Sequence, residues 1–446
     1  MSSELIKKYN VPAPRYTSYP TVPYWDTENW NREKWLDSVR KSYVESASEG
    51  ISLYIHLPFC ESLCTYCGCN TRITKNHGVE EPYIQAVLKE WDMYCNVLGS
   101  RPLIKEIHLG GGTPTFFTPE NLQKLLTGVF DRSEIAADAG FSFEAHPANT
   151  SDDHLRTLYN LGFRRLSLGI QDFDPKVQEI INRKQSIEQV AHITSYAREL
   201  GYDSINYDLI YGLPLQKLPG VEKTINEVIK LMPDRIAFYS YAHVPWIKPG
   251  QRKFTEAGLP GDEDKRALYE KGCEMLLQAG YENIGMDHFS LPTDSLYKAS
   301  LNGTLHRNFM GYTHEYTKLS IGIGVSSISD SWYAFSQNIK KLEVYLAKID
   351  KGEFPLIKGH ILTESDLEWR REISNIMCKG FTDLRRTNSK LVKRLLPLRK
   401  DKLVEFDYHK LNVTPLGKSF LRNICMAFDE RLWNSPVNDQ TFSKAI

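Results

Sequence analysis

Short apolar runs of strand length recur through the first half of the chain, at Ile51-Ser-Leu-Tyr-Ile-His-Leu57 and then at 106–109, 141–144, 165–170, 205–210 and 235–240. Between them lie amphipathic segments, 80–98, 119–131, 151–161, 187–200 and 218–231, where apolar residues return every three or four positions. The pattern is a repeated strand–helix unit. Six such units predict an α/β protein built as a partial (β/α)6 barrel, although strand count alone does not fix closure and an open doubly wound sheet satisfies it too. Several runs read as mixed or apolar rather than alternating, as expected of a parallel sheet covered on both faces. Polar and glycine residues gather at the downstream strand ends: Gly110-Gly-Gly-Thr-Pro114, Glu144-Ala-His-Pro147, Gln171-Asp172, Asp208 and Ala242-His243. In parallel α/β barrels that edge carries the active site.

Beyond about residue 245 the alternation weakens. Segment 262–279 reads as a helix, 281–286 as a short strand, and 319–328 as a glycine-punctuated strand or loop that could extend the sheet. From about 361 come a helical stretch, a basic stretch at 385–402 and two short strands before a last helix, which suggests a winged-helix-like, mostly helical C-terminal domain. The expected division is an N-terminal arm at 1–46, a catalytic domain at 47–345 and a C-terminal domain at 360–446. The basic residues Arg385, Arg386, Lys390, Lys393, Arg394, Arg399, Lys400 and Lys402 raise DNA binding as an alternative. The apolar stripe of Leu391, Leu395, Leu396 and Leu398 argues instead for docking on the catalytic domain with a solvated basic face, and nucleic acid is not expected as a partner.

The 446 residues allow about three units of ~150 residues. Lys plus Arg and Asp plus Glu each total 55, so the chain has no global bias toward polyanions or anionic membranes, and any anion specificity must be local. No run of about 18 apolar residues marks a membrane span. The start has neither the apolar core of a secretory signal nor the Arg-rich character of a presequence, so a cytoplasmic protein is expected, with monomer as the default in the absence of heptads. Eight cysteines are too sparse for a disulfide framework, yet Cys60, Cys64, Cys67 and Cys69 fall within ten residues, directly after the first strand.

Cysteine thiolates are the usual ligands of iron–sulfur clusters, and C-x3-C-x2-C supplies three to a cluster of four irons, leaving the fourth open to another ligand. One intervening residue gives Cys69 little freedom to reach the far corner while Cys67 holds its own, so Cys69 is assigned a role other than ligand. Structural zinc, the alternative for clustered thiolates, usually pairs C-x2-C with a distant second pair that this chain lacks. Cys95, Cys273, Cys378 and Cys425 are isolated and fit buried apolar thiols. The triple glycine at 110–112 lets backbone approach a ligand closely and lacks the Gly-Lys-Ser/Thr of a phosphate loop.

The cysteine loop after the first strand, with the glycine motif after the second, resembles the radical S-adenosylmethionine (SAM) superfamily. More of the chain is similar to the oxygen-independent coproporphyrinogen III oxidase (coproporphyrinogen dehydrogenase) family. The matching text is Pro14-Arg-Tyr-Thr-Ser-Tyr-Pro20, Cys67-Gly-Cys69-Asn70, Gly169-Ile-Gln-Asp-Phe173, Asn182-Arg183, Asp208-Leu-Ile-Tyr-Gly-Leu-Pro214, Gly285-Met-Asp-His-Phe289, His306-Arg-Asn-Phe309 and Arg422-Asn-Ile-Cys425. The resemblance implies a [4Fe-4S] cluster on Cys60, Cys64 and Cys67 and two SAM molecules. Tyr54, Gly111, Glu144 and Ile328 match contacts to the cluster-bound SAM, and Tyr66, Gly112, Thr113, Gln171, Arg183, Asp208 and Ala242 match contacts to the second. It makes Tyr54, Glu144, Arg183 and Ile328 the catalytic candidates. It further implies that a 5′-deoxyadenosyl radical takes a hydrogen from each of two propionate β-carbons of coproporphyrinogen III. Carbon dioxide and an electron then leave, giving protoporphyrinogen IX for haem synthesis, with a flavodoxin- or ferredoxin-type protein as donor. Another tetrapyrrole, methyl transfer, or haem binding without oxidase chemistry are the alternative functions on such a scaffold. A tetra-anionic substrate must meet local cations, for which Arg15, Arg183 and Arg307 are candidates. One departure is Met310, where the family typically has glutamine; a thioether cannot donate the hydrogen bonds of an amide.

Overall fold

The computed structural model describes residues 3–384, 388–435 and 441–445, and its centre is a twelve-stranded sheet. Six strands follow the apolar runs: β1 (Ile51–Leu57), β2 (Leu103–Gly111), β3 (Glu134–Ala145), β4 (Phe163–Gln171), β5 (Ser204–Tyr211) and β6 (Arg235–Ser240). They pair in parallel, each beside its predecessor in sequence. Sequential order excludes the doubly wound alternative, in which the order reverses at a switch point. Winding in one direction places the connecting helices on one face and leaves the other to curl into a barrel interior. Among the described residues no pairing closes the curl, so the barrel is partial.

Helices Glu80–Leu98, Pro119–Asp131, Asp152–Asn160, Ile187–Leu200 and Leu218–Leu231 occupy the amphipathic intervals. Their ends are set locally: Ser151 with His154 and Ser186 with Gln189 form capping boxes, and Gly99 and Gly201 close helices in the left-handed conformation. The strands do alternate, contrary to the reading of mixed or apolar runs. Leu53, Ile55, Ile107, Leu109, Phe143, Leu166, Leu168, Ile205 and Phe238 are buried in the main core. Residues of the opposite parity, among them Tyr54, His56, Glu106, His108, Glu144, Ser167, Asn206 and Asp208, line interior cavities. The inner face is polar because it encloses a lined space rather than a packed core.

The sheet extends at both edges. β7 (Glu282–Gly285) and β8 (His288–Ser290) follow β6, with β8 antiparallel to it. Beside β1 lies β9 (Ser320–Ile323), parallel to it, then β10 (Ile328–Asp330), β11 (Ala334–Asn338) and β12 (Leu356–Ile361) in antiparallel succession. Segment 319–328 therefore extends the sheet, which runs past the boundary drawn at 345 to Ile361.

The first 46 residues join two bodies: helix Arg32–Ser46 packs on the sheet through Trp35 and Val39, whereas Tyr9, Tyr16 and Tyr19 belong to the C-terminal core. Buried Arg422 ties this segment down by donating to the carbonyls of Ala13 and Pro14. The C-terminal body combines helices Glu364–Lys379, Ser389–Lys400 and Leu421–Met426 with a three-stranded antiparallel sheet. Leu391, Leu395 and Leu398 are buried as the stripe requires, but Leu396 is 46% exposed and does not belong to it. Lys390, Lys393, Lys400 and Lys402 are solvated, Arg394 lies over Trp433 and Arg399 over Phe406. Arg385 and Arg386 lie outside the described residues. Among those residues no helix is long and apolar enough to cross a membrane.

Candidate active site

The exits of β1 and β2 are interlocked. The Gly112 N–H donates to the Leu57 carbonyl at 2.8 Å and the Thr113 N–H to the Phe59 carbonyl at 3.0 Å. Glycine is required here: a Cβ on Gly111, whose φ is +114°, would stand 2.6 Å from the His56 ring, and one on Gly112 would stand 2.6 Å from the Pro58 carbonyl carbon. The clasp holds the cysteine loop over the barrel mouth. Cys60, Cys64 and Cys67 line one cavity of about 320 Å³ together with Cys69, Tyr66, Gly111, Gly112, Thr113, Glu144, Gln171, Arg183 and Asp208.

Burial pushes the Cys60 thiol up to about 11, whereas hydrogen bonding from Cys69 draws Cys67 down to about 6. The Cys69 backbone N–H also donates to the Cys67 sulfur, at 3.4 Å. Cys69 thus touches a ligand candidate, a position its spacing left open. Arg183 is buried, donates through Nε and Nη2 to the Gly169 carbonyl at 3.1 and 2.6 Å, and points Nη1 at the Cys64 sulfur, 3.6 Å away. A cation beside three thiols suits thiolate ligands. Among the described residues no three His, Cys, Asp or Glu side chains converge on one metal ion. Three thiols lining one cavity suit a cluster, in which each would bind a different iron.

A second cavity, of about 340 Å³, lies on the β9–β10 side and is lined by Tyr54, Gly111, Glu144, Phe309, Met310, Ile328 and Arg370, among others. A third, of about 150 Å³, fills the barrel interior between Glu106, His108, Arg165, Asn206, Asp208, Arg235, Tyr239 and His288. Glu144 lines all three, and Met310 lines the second and third. Burial raises the Glu144 carboxyl, but the hydrogen bond and charge of His108, at 3.4 Å, the Gly111 N–H and His56 outweigh it and hold the group below its ordinary value. His56 Nε2 faces the Asn70 carbonyl at 2.9 Å and must donate there, so its Nδ1 accepts from the Tyr54 hydroxyl at 3.1 Å. Burial, reinforced by the charge of Glu144, pushes Asp208 up to about 6, against donors from Asn206 at 2.9 Å and Ser167 at 3.2 Å.

Of the eleven cofactor candidates, Tyr54, Gly111, Glu144 and Ile328 line the second cavity, and Tyr66, Gly112, Thr113, Gln171, Arg183 and Asp208 line the cavity of the thiols. Ala242 is not among the residues lining these cavities; its carbonyl accepts from Gln251, which also donates to the Tyr66 carbonyl. Arg15 pairs with Asp287 at 3.3 Å outside the three cavities. His56, His108, Ser167, Asn206 and Tyr239 were not singled out from sequence. Their signal is parity: each sits an even number of residues from a candidate on its own strand or on the strand pairing with it in register.

Behind the second cavity, buried Glu90 braces the turn that leads into β10. It accepts from the Gly324 N–H at 2.8 Å, the Tyr345 hydroxyl at 2.7 Å and Asn338 at 2.6 Å, and Tyr83 links the same turn to the His56 carbonyl. Burial pushes the Glu90 carboxyl up to about 7 against those donors. Its share of stability is complete below the ordinary carboxylate value and is lost as pH rises through about 7. Denaturant titrations at pH 5 and pH 8 should therefore show the native protein losing on the order of 3 kcal/mol more than a Glu90→Gln variant over that interval.

The radical SAM superfamily model matches residues 54–228. The oxygen-independent coproporphyrinogen III oxidase of Synechocystis sp. is 36% identical over 460 residues, spanning 100% of this chain and 98% of its own. That of Escherichia coli is 37% identical over 453 residues, spanning 99% and 98%. The solved coproporphyrinogen III oxidase of Escherichia coli, described as a radical SAM enzyme, superposes with a TM-score of 0.90 at 35% identity over 96% of this chain and 98% of that one. The superfamily implies a [4Fe-4S] cluster and SAM, which the three-thiol cavity fits. With end-to-end likeness in sequence and in fold, and with the loop, clasp and Glu144 junction in place, the chain belongs to the oxygen-independent coproporphyrinogen III oxidase family of radical SAM enzymes.

Proposed function

We propose that this chain carries out the oxidative decarboxylation of coproporphyrinogen III to protoporphyrinogen IX without oxygen. The observation that carries the reading is the meeting of three cavities at Glu144, so that a thiol-lined space, the space beside β9 and β10 and the barrel interior share one carboxylate. Cys60, Cys64 and Cys67 would hold the cluster, and when bound the cluster and SAM supply a one-electron reduction and a carbon radical able to take hydrogen from an unactivated C–H bond. The chain's own residues orient and shield. Glu144, kept ionised by His108, suits the hydroxyls or ammonium of the SAM that Tyr54, Gly111 and Ile328 would also contact. A second SAM against Tyr66, Gly112, Thr113, Gln171, Arg183 and Asp208 is supported by the opposite charges that buried Arg183 and Asp208 turn into the thiol cavity.

Each propionate gives up a hydrogen atom, carbon dioxide and one electron and becomes a vinyl group. Arg307, a candidate cation for a propionate, is buried outside the three cavities, with Nε and Nη1 unpartnered among the described residues. The N-terminal residues Tyr9, Tyr16 and Tyr19 share a core with the C-terminal body beyond the sheet's last strand, and we take the protein to act as a cytoplasmic monomer served by a small electron-carrier protein. The proposal is tested by incubating anaerobically reconstituted protein with dithionite and SAM: 5′-deoxyadenosine and methionine must accumulate, and their absence would leave a haem-binding role. Met310 adds a point of its own, because it walls the space between two cavities. Met310→Gln is expected to lower KM for the porphyrinogen about fivefold, the worth of one added hydrogen bond, with substrate-free SAM cleavage unchanged; steady-state kinetics checks this.

A further inference from the structure

Three segments from distant parts of the sequence grip the outer side of the cysteine loop. Residues 70–76 pair with it as a ribbon, Phe59–Cys60 beside Arg72–Ile73, and the Thr74 N–H donates to the Cys60 carbonyl at 2.9 Å. Residues 244–253 lie over it: Lys248 Nζ donates to the Cys69 carbonyl at 3.2 Å, and Gly250 is so close that a Cβ there would stand 3.3 Å from Leu63 Cδ2. Residues 338–343 complete the frame, where Asn70 donates to the Lys340 carbonyl at 3.1 Å and Arg72 pairs with Glu343 at 3.1 Å.

This frame is strongly basic in a chain whose charges balance at 55 and 55. The first segment brings Arg72 and Lys75, the second Lys248, Arg252 and Lys253, the third Lys340 and Lys341. Against these seven cations the loop and frame hold two carboxylates, Glu61 and Glu343, and Glu343 is already paired. On the same three segments large apolar side chains are exposed: Leu63 42% and Ile73 40%, both also lining the thiol cavity, and Trp246 45% and Ile247 58%. An apolar centre with a charged rim is the anatomy of a docking surface. It sits where electrons must enter the thiol cavity.

We propose that this surface receives an acidic electron-carrier protein that presents the apolar dimethylbenzene edge of a flavin to Leu63, Ile73, Trp246 and Ile247. The inference rests on the proposed function, which needs one low-potential electron for each SAM cleaved. The flavin hydroquinone anion gives that electron and becomes the neutral semiquinone; its N5 proton stays, and no bond crosses the interface. The rim steers and orients the acidic partner, and the apolar centre excludes water from the electron path.

The experiment uses the reconstituted holoenzyme and flavodoxin as the probe. In a Lys75→Glu/Lys253→Glu variant, calorimetry should show affinity for flavodoxin falling at least about tenfold with a flatter salt dependence, since two rim charges have reversed. Stopped-flow reduction by flavodoxin hydroquinone should slow by a similar factor, and reduction by dithionite should not change. Trp246→Ala should weaken binding without altering the salt slope. Unchanged flavodoxin affinity and rate in both variants would overturn the proposal. So would an equal loss with dithionite, which would make the residues supports of the loop, or charge-dependent reduction by an iron–sulfur carrier alone. Porphyrinogen turnover driven by dithionite bypasses the rim, so failure of the proposed function would register separately.

Discussion

A Cys64→Ala protein is expected to fold normally and to cleave no SAM. Cys64 is half-buried on a loop whose backbone is held from elsewhere: the Thr65 N–H donates to the Ile181 carbonyl at 2.9 Å, and Asn182 donates to the Leu63 carbonyl at 2.8 Å. Its sulfur is met by Arg183 Nη1 at 3.6 Å, so removing it costs the fold about 1 kcal/mol or less. The loss falls on the cluster. With one of three thiolates gone, iron content should fall and SAM cleavage should drop by at least about a thousandfold, with circular dichroism and denaturant midpoint of the metal-free protein unchanged. Persistent cleavage would remove the cysteine loop from the chemistry.

Arg183→Leu is expected to be nearly as damaging for a different reason. Arg183 is the buried cation beside the thiols, and its guanidinium is held in place by two hydrogen bonds to the Gly169 carbonyl. Gly169 leaves room for it: a Cβ there would stand 2.6 Å from Arg183 Nη2. Removing the charge strips a compensating cation from a cavity that holds Cys64, Cys67, Glu144 and Asp208. It also deletes the one arginine in that cavity able to pair a carboxylate of bound SAM. A buried charge pair broken on one side costs about 2–5 kcal/mol, so SAM affinity should fall by about 30-fold or more, and the reduction potential of the bound cluster should move lower. Calorimetry with SAM and potentiometry check the two arms.

Much of the fold was legible because the six parallel strands and five helices obey simple periodicities, and of the polar strand-end clusters those at 110–114, 144–147, Gln171 and Asp208 line the cavities whereas Ala242-His243 does not. The polar inner row was misread. Tyr54, Glu106, His108 and Asn206 share their strands with enough apolar residues that the runs looked buried on both faces, whereas register shows polar residues aligned across the sheet. Helix Arg32–Ser46 was missed because much of its buried face is Ser38, Ser42 and Ser46 rather than apolar. β11 was missed for the same reason, since Ser336, Gln337 and Asn338 are buried polar residues, Gln337 donating to the Ser326 carbonyl and Asn338 to the Gly324 carbonyl and Glu90. The partition of cofactor candidates came from family likeness; physical reading alone reached the cysteine loop, the glycine clasp and the strand ends. Cys69 needed coordinates, since its hydrogen bond to Cys67 depends on a turn that spacing does not specify.

The most direct test of the account is the mass of the product formed when anaerobically reconstituted protein is given a low-potential reductant, SAM and coproporphyrinogen III. The account predicts a porphyrinogen lighter by two molecules of carbon dioxide and four hydrogens, with 5′-deoxyadenosine formed alongside. A product heavier by a methyl group, or unchanged porphyrinogen alongside continuing SAM cleavage, would contradict it.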